Sequence, residues 1–144
     1  METIDRLVAT ESIRNLISRY CIEADRGRVE ALTSLFAEDA IYIFGGREYI
    51  ARQGIVDMFA ESRKRLMAAD IRTRAWHMVT SSAIDIAGDT ATARTYVLVL
   101  AEGIVDHYGH YDDEFRRTGD QWLISRREFT LQGAVPGGIG EVLK

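Results

Sequence analysis

The sequence predicts an α+β fold: three N-terminal helices laid over the concave face of a strongly curved, mixed or antiparallel sheet, a cone-shaped barrel with a pocket inside. Three observations carry that expectation. As far as Met67 the apolar residues recur mostly at helical spacings, interrupted by one short strand pair. From Arg72 onward, long segments rich in β-branched and aromatic residues are separated by Gly-Asp turns. With 47% hydrophobic residues and a single proline in 144 residues, the chain is also long and apolar enough to bury a core without staples.

The elements follow in order. Ile13, Leu16, Ile17, Tyr20, Cys21 and Ala24 form one apolar stripe, so the chain around them reads as a helix, with Thr10 and Ser12 as candidate caps and Gly27 as its stop. Val29, Leu32, Leu35 and Phe36 continue as a second, short helix folded back beside the first. Ala40–Phe44 is a strand, and Gly45-Gly46 turns it into a partner at Glu48-Tyr49-Ile50. Ile55, Met58, Phe59, Leu66 and Met67 mark a third helix, with Glu61, Arg63, Lys64 and Arg65 on its other side. Long strands are then expected at 72–87, 90–104, 107–117 and 121–131, hinged at Gly88-Asp89 and Gly119-Asp120. The glycine-rich stretch 133–138 resists regular structure, so residues 133–144 are expected to be a flexible end or a flap over the pocket. A single domain should span 1–144.

Composition narrows the function. The 18 basic against 22 acidic residues leave a net charge of −4, and the only basic run is Arg63-Lys64-Arg65, so neither nucleic acid nor an acidic membrane is an expected partner. Cys21 is the only cysteine, which excludes an intramolecular disulfide and a cysteine-rich metal site. Residues 1–16 are regularly charged and the longest apolar stretch, Tyr96 to Ala101, is short, so a soluble, cytoplasmic protein is expected. GxGxxG, GxxxxGK[ST], GxSxG and HExxH are all missing from the sequence. Asp106, His107, His110, Asp112 and Asp113 look like a metal cluster, but residues three apart on a strand face opposite ways, and no metal site is expected there.

Several residues could carry chemistry. Asp25 lies four residues beyond Cys21, in the last helical turn, where the macrodipole disfavours a carboxylate; it either sits in solvent or reaches inward to a partner. His77 lies in the apolar strand Arg74-Ala75-Trp76-His77-Met78-Val79, as a hydrogen-bonded core residue or as a base. Strict alternation pairs Trp122 and Ile124 with Arg126 on one face, and Leu123, Ser125, Arg127 and Phe129 on the other. Arg127 is then either a pocket cation or half of a surface ion pair. Tyr20, Tyr42, Tyr96, Tyr108 and Tyr111 offer hydroxyl donors.

Taken together, this order of elements resembles the SnoaL-like branch of the nuclear transport factor 2 superfamily. The pieces are Ile13–Tyr20, Asp25, Leu35-Phe36-Ala37-Glu38-Asp39-Ala40, Trp76-His77-Met78-Val79, Gly109–Phe115 and Trp122–Arg127, which cover nearly the whole chain. Scytalone dehydratase, bile-acid 7α-dehydratase and hexachlorocyclohexane dehydrochlorinase of this branch pair a helix-one aspartate with a strand histidine, which implies that role for Asp25 and His77. The dehydrochlorinase's pocket arginine implies the same for Arg127, five residues after Trp122. Its helix-one lysine is replaced by Tyr20, as in the bile-acid enzyme, whose acidic residue on the following strand has no counterpart among Val97, Leu98 and Val99.

The resemblance implies a cofactor-independent lyase, a dehydratase or other β-elimination enzyme, acting on a small, largely apolar cyclic substrate. Asp25, His77, Arg127 and Tyr20 are its expected catalytic residues, with Tyr42, His110, Trp76 and Phe59 against the substrate and His110 an acid if its face looks inward. Alternatives are a ketosteroid-isomerase or polyketide-cyclase type isomerase, and a noncatalytic binding or assembly module like the β subunits of aromatic-ring dioxygenases. The strand Thr92–Ala101 is apolar on both faces in its second half, so a homodimer, or less favoured a homotrimer, is expected.

Overall fold

A computed structural model describes residues 1–144. Helix α1 spans Thr3–Asp25 and buries Ile13, Leu16, Ile17, Tyr20 and Cys21 of the expected stripe, with Ala24 partly buried and Ala9 and Glu23 buried besides. It begins earlier than the candidate caps suggest. Thr10 and Ser12 lie inside it and donate to the carbonyls of Arg6 and Val8, both at 2.8 Å, a backbone bond that lets such residues sit mid-helix. The helix ends in a Schellman arrangement: Gly27, at φ 69°, donates to Ala24 and Arg28 donates to Glu23 at 3.0 Å. That stop fixes Asp25 as the last helical residue.

Helix α2 is only Val29–Thr33, and Phe36 opens strand β1 (Phe36–Phe44) instead of closing the helix. A long-range pairing overrides the local spacing. Phe36 lies beside Ile124, and the Leu35 carbonyl accepts from the Ile124 N–H at 2.9 Å. Strand β2 (Arg47–Ile50) returns antiparallel through Gly45-Gly46, whose φ values of 59° and 77° are both left-handed, as a two-residue type I′ turn requires. Helix α3 (Ala51–Ala68) buries Ile55 and Met58. The long strands are β3 (Trp76–Ala87), β4 (Thr90–Ala101), β5 (Ile104–Thr118) and β6 (Gln121–Ala134), and a short α4 (Ile139–Leu143) closes the chain. Residues 72–75, expected as strand, are connecting chain, and the β4–β5 hairpin turns at Glu102-Gly103, ahead of the expected break at 105–106.

The six strands form one open, mixed sheet in the order β2-β1-β6-β5-β4-β3; the cone does not close into a barrel. Every pairing is antiparallel except β1 with β6, which is parallel. The concave face takes the core: Ala91, Ala93, Thr95, Val97, Val99 and Ala101 of β4 are all buried beneath the helices. No helix is long and apolar enough to cross a membrane.

Bulges decide which side chains enter that face. Glu114 pairs with Arg126 but Phe115 with Ile124, leaving Ser125 as an extra residue. Alternation therefore slips by one, and Trp122, Ile124 and Arg127 all point inward, correcting the assignment of Arg127 to the face opposite Trp122. A second bulge at Asp106, between the pairs Leu100–Val105 and Val99–His107, turns Asp106 and His107 inward side by side.

The convex face carries Met78, Leu98 and Tyr108 in one row across three strands, flanked by Trp76, Leu100 and Tyr96. Trp76, Met78, Tyr96 and Tyr108 are each exposed, by 42–54%. We propose that a second copy of the chain covers this apolar face, because contiguous patches of this kind are rare on monomers. Sedimentation at micromolar concentration should give a dimer, or a trimer, and Met78→Glu should dissociate it; a 16.2 kDa species for the unaltered chain would overturn the assignment.

Candidate active site

Asp25 and His77 meet where α1 ends against β3. The imidazole Nδ1 lies 2.6 Å from Asp25 Oδ1, and the His77 backbone N–H donates to both carboxylate oxygens at 3.1 Å. A carboxylate only accepts, so the proton of the neutral imidazole is fixed on Nδ1 and the Nε2 lone pair is left free. Two donors converging on Asp25 offset the unfavourable position of an anion at a helix C-terminus. Arg74 holds the same corner by donating to the Asp25 carbonyl at 3.2 Å. Asp25 sits behind His77, and it is His77 that lines the cavity.

That cavity measures about 500 Å³, within the range of small-molecule sites, and fifteen of its twenty-one lining residues are hydrophobic. Phe44, Met58, Phe59, Leu66 and Phe129 supply much of the apolar wall, while Arg63 and Arg72 are among its few charged residues. Tyr20 and Tyr42 line the cavity with their hydroxyls 3.0 Å apart. Burial raises the pKa of Tyr20 and raises those of Tyr42 and Tyr111 well above the ordinary phenol value, so all three keep their protons and act as donors.

Arg127 is not on the wall. Its guanidinium, with no solvent exposure, binds Asp113 in a bidentate pair, Nε to Oδ1 at 2.7 Å and one terminal nitrogen to Oδ2 at 2.8 Å. It is sandwiched between the rings of Tyr111 and Tyr20, with Cζ 3.8 Å and 4.2 Å from their centroids. Burial opposes its charge most strongly, but Asp113, Tyr111 and Tyr42 together outweigh burial and hold the pKa well above the ordinary arginine value. The expected pocket cation therefore lies under the floor, where it orients two tyrosines from behind.

Two further expected residues lie elsewhere. His110 pairs in register with Tyr96 and looks out of the convex face, its Nε2 3.5 Å from Asp112, so it is no acid for the cavity. Trp76 is half exposed on the same side, beneath the Arg74 guanidinium, and does not touch the cavity. Period-two alternation separates both from His77 and His107, which the cavity does include.

The residue that sequence reasoning missed is His107. Asp106 Oδ1 lies 2.7 Å from its Nδ1 and 2.8 Å from the Gly140 N–H, while Oδ2 accepts from the Ile139 N–H at 2.9 Å. One carboxylate thus orients a cavity histidine and anchors α4, whose Ile139 and Leu143 close that end of the cavity. Arg65 holds the other end of α4 by donating to the carbonyls of Val142, Leu143 and Lys144. Gly140 packs so closely that a Cβ there would lie 2.5 Å from His107 Cβ. The visible signal is the adjacent Asp106-His107: a spacing of three along a strand separates His107 from His110, but says nothing of this pair, which the bulge at Asp106 turns to one side.

The chain matches the model of the SnoaL-like domain over residues 5–128. It belongs to that family. A protein from Novosphingobium aromaticivorans described as NTF2-like with a cystatin-like fold is 30% identical, with a TM-score of 0.77 over 98% of this chain and 92% of its own. LinA is 21% identical, with a TM-score of 0.79 over 95% and 96%. A Novosphingobium aromaticivorans protein named for scytalone dehydratase is 22% identical, with a TM-score of 0.75 over 93% and 91%. These last two likenesses establish the shared fold. No protein of curated function matches the chain.

Two outcomes are expected of this SnoaL-like domain. Arg127→Met should leave Asp113 buried without a partner and cost about 3–5 kcal/mol in denaturant unfolding, with Asp113→Asn in the same background recovering part of it. His107 has its pKa lowered by burial, reinforced by His77 and opposed by Asp106. The unfolded chain therefore takes up this proton first on acidification, so stability should be complete above the ordinary value of 6.5 and fall as pH drops below it. Unfolding free energies measured from pH 8 to 5 should lose that slope in His107→Gln.

Proposed function

We propose that this SnoaL-like domain is a cofactor-independent lyase that eliminates a β leaving group, most simply water, from a small, largely apolar cyclic substrate. The supporting observation is the 2.6 Å Asp25–His77 contact behind an apolar cavity of about 500 Å³. His77 Nε2 takes the proton from a carbon next to a carbonyl, and the electron pair moves onto the carbonyl oxygen. Asp25 stabilises the imidazolium that results. The buried Tyr20–Tyr42 pair spends one hydroxyl proton on its internal bond and offers the other to the developing oxyanion. Collapse of that oxyanion forms the carbon–carbon double bond and expels the β oxygen, which takes the proton held on His77 and leaves as water. Assistance by such a base is worth about 10²–10⁴-fold.

The isomerase alternative uses the same first step and returns the proton to another carbon. The apolar wall around His77 serves either course, and the fate of the β substituent separates them.

One- and two-ring β-hydroxy ketones, assayed by the absorbance of the conjugated enone, test the reading. His77→Gln is expected to lower the rate at least 10²-fold with at most a few kcal/mol lost in stability, and Asp25→Asn to lower it through the wrong tautomer with the fold intact. Undiminished turnover in His77→Gln would remove the general-base role.

A further inference from the structure

The cavity holds a second oriented imidazole that the elimination does not use. Val99 of β4 lies opposite His77 of β3 on one side and opposite His107 of β5 on the other. The two histidines thus stand on one wall, two strand spacings or about 10 Å apart across the sheet. Each gives its Nδ1–H to an aspartate. His107 nevertheless differs in its surroundings: its ring packs edge-on against Phe129 at 6.4 Å, beneath Ile139, at the end of the cavity closed by α4.

Three facts fix what His107 presents to a ligand. The Asp106 carboxylate already accepts the N–H groups of Ile139 and Gly140 and can only accept from Nδ1, so the proton sits there. Burial keeps the ring neutral, which leaves Nε2 as a lone-pair acceptor. Nε2 has no donor among the protein's own hydrogen bonds, and the atoms around it at that end are mostly apolar. Nε2 is open to the cavity, so an apolar ligand that displaces solvent from it leaves the acceptor unpaired, whereas a ligand hydroxyl at that place replaces the lost hydrogen bond.

We infer that His107 Nε2 is a specificity-determining acceptor for a ligand hydroxyl, so that the cavity selects a ring compound bearing an alcohol, phenol or enol O–H at the α4 end. The inference rests on the cavity being the substrate site proposed above, but not on the elimination. Asp106 is the positioning residue, since the same carboxylate sets the tautomer and holds the helix that covers the hydroxyl.

The test compares 2-naphthol with 2-methoxynaphthalene, equal in ring size and unequal in the donor. Unaltered protein should bind 2-naphthol roughly tenfold more tightly by titration calorimetry, as one recovered hydrogen bond allows. His107→Leu should bring that ratio to about one, and His77→Gln should keep it while losing elimination. In ¹⁵N-histidine-labelled protein, which needs no variant to fold, the His107 Nε2 resonance should move with 2-naphthol and stay with the methyl ether. Equal binding of the two compounds, a ratio that survives His107→Leu, or an unmoved resonance would each overturn the inference. Elimination lost with the naphthol preference intact would instead count against the proposed reaction alone.

Discussion

A guanidinium without solvent exposure sits under the floor of the cavity, and much of the fold is arranged to tolerate it. Burying such a charge alone is prohibitive, so Arg127 must meet Asp113 in bidentate geometry, which ties β6 to β5. Tyr20 and Tyr111 close over its two faces, which ties α1 to the same strands. One terminal nitrogen still has no hydrogen-bond acceptor, and only the aromatic faces attend to it. Tyr20 and Tyr111 are therefore braced from behind by a cation, and the Tyr20 hydroxyl is left for Tyr42 and for a ligand.

The same economy governs the two aspartate–histidine pairs. Each aspartate accepts an imidazole and backbone N–H donation, one group at Asp25 and two at Asp106, so each joins a wall of the cavity to another element: Asp25 fastens α1 to β3, and Asp106 fastens β5 to α4. Side chains that carry double duty of this kind are held within narrow geometry, which is what a site for proton transfer and for reading a hydroxyl needs.

Much of the fold was legible from spacing. The α1 stripe, the glycine turn at 45–46 and the later Gly-Asp hairpins are local signals, and each produced the expected element. The Asp25–His77 placement was legible through the family resemblance, since neither residue names the other across fifty-two positions. The second helix ran too long, because Phe36 answers to Ile124 and nothing nearby reveals that. His110 and Trp76 were expected at the substrate through the same resemblance, which matches residue types and not the face they occupy, and both lie on the convex side.

The sequence by itself determined the element order, the apolar stripe that fixes how α1 lies, and the carboxylate of Asp25 in its last turn. These depend on chemistry within a few residues. Tertiary structure decided the direction of Arg127 and the inward turn of His107, because each hinges on one unpaired residue in a strand, Ser125 in β6 and Asp106 in β5. A bulge costs little locally and is set by how the curved sheet must bend against its neighbours, yet it reverses the facing of every side chain beyond it. The inside and outside of the cavity were therefore settled by the curvature of the sheet, which no single segment of the chain contains.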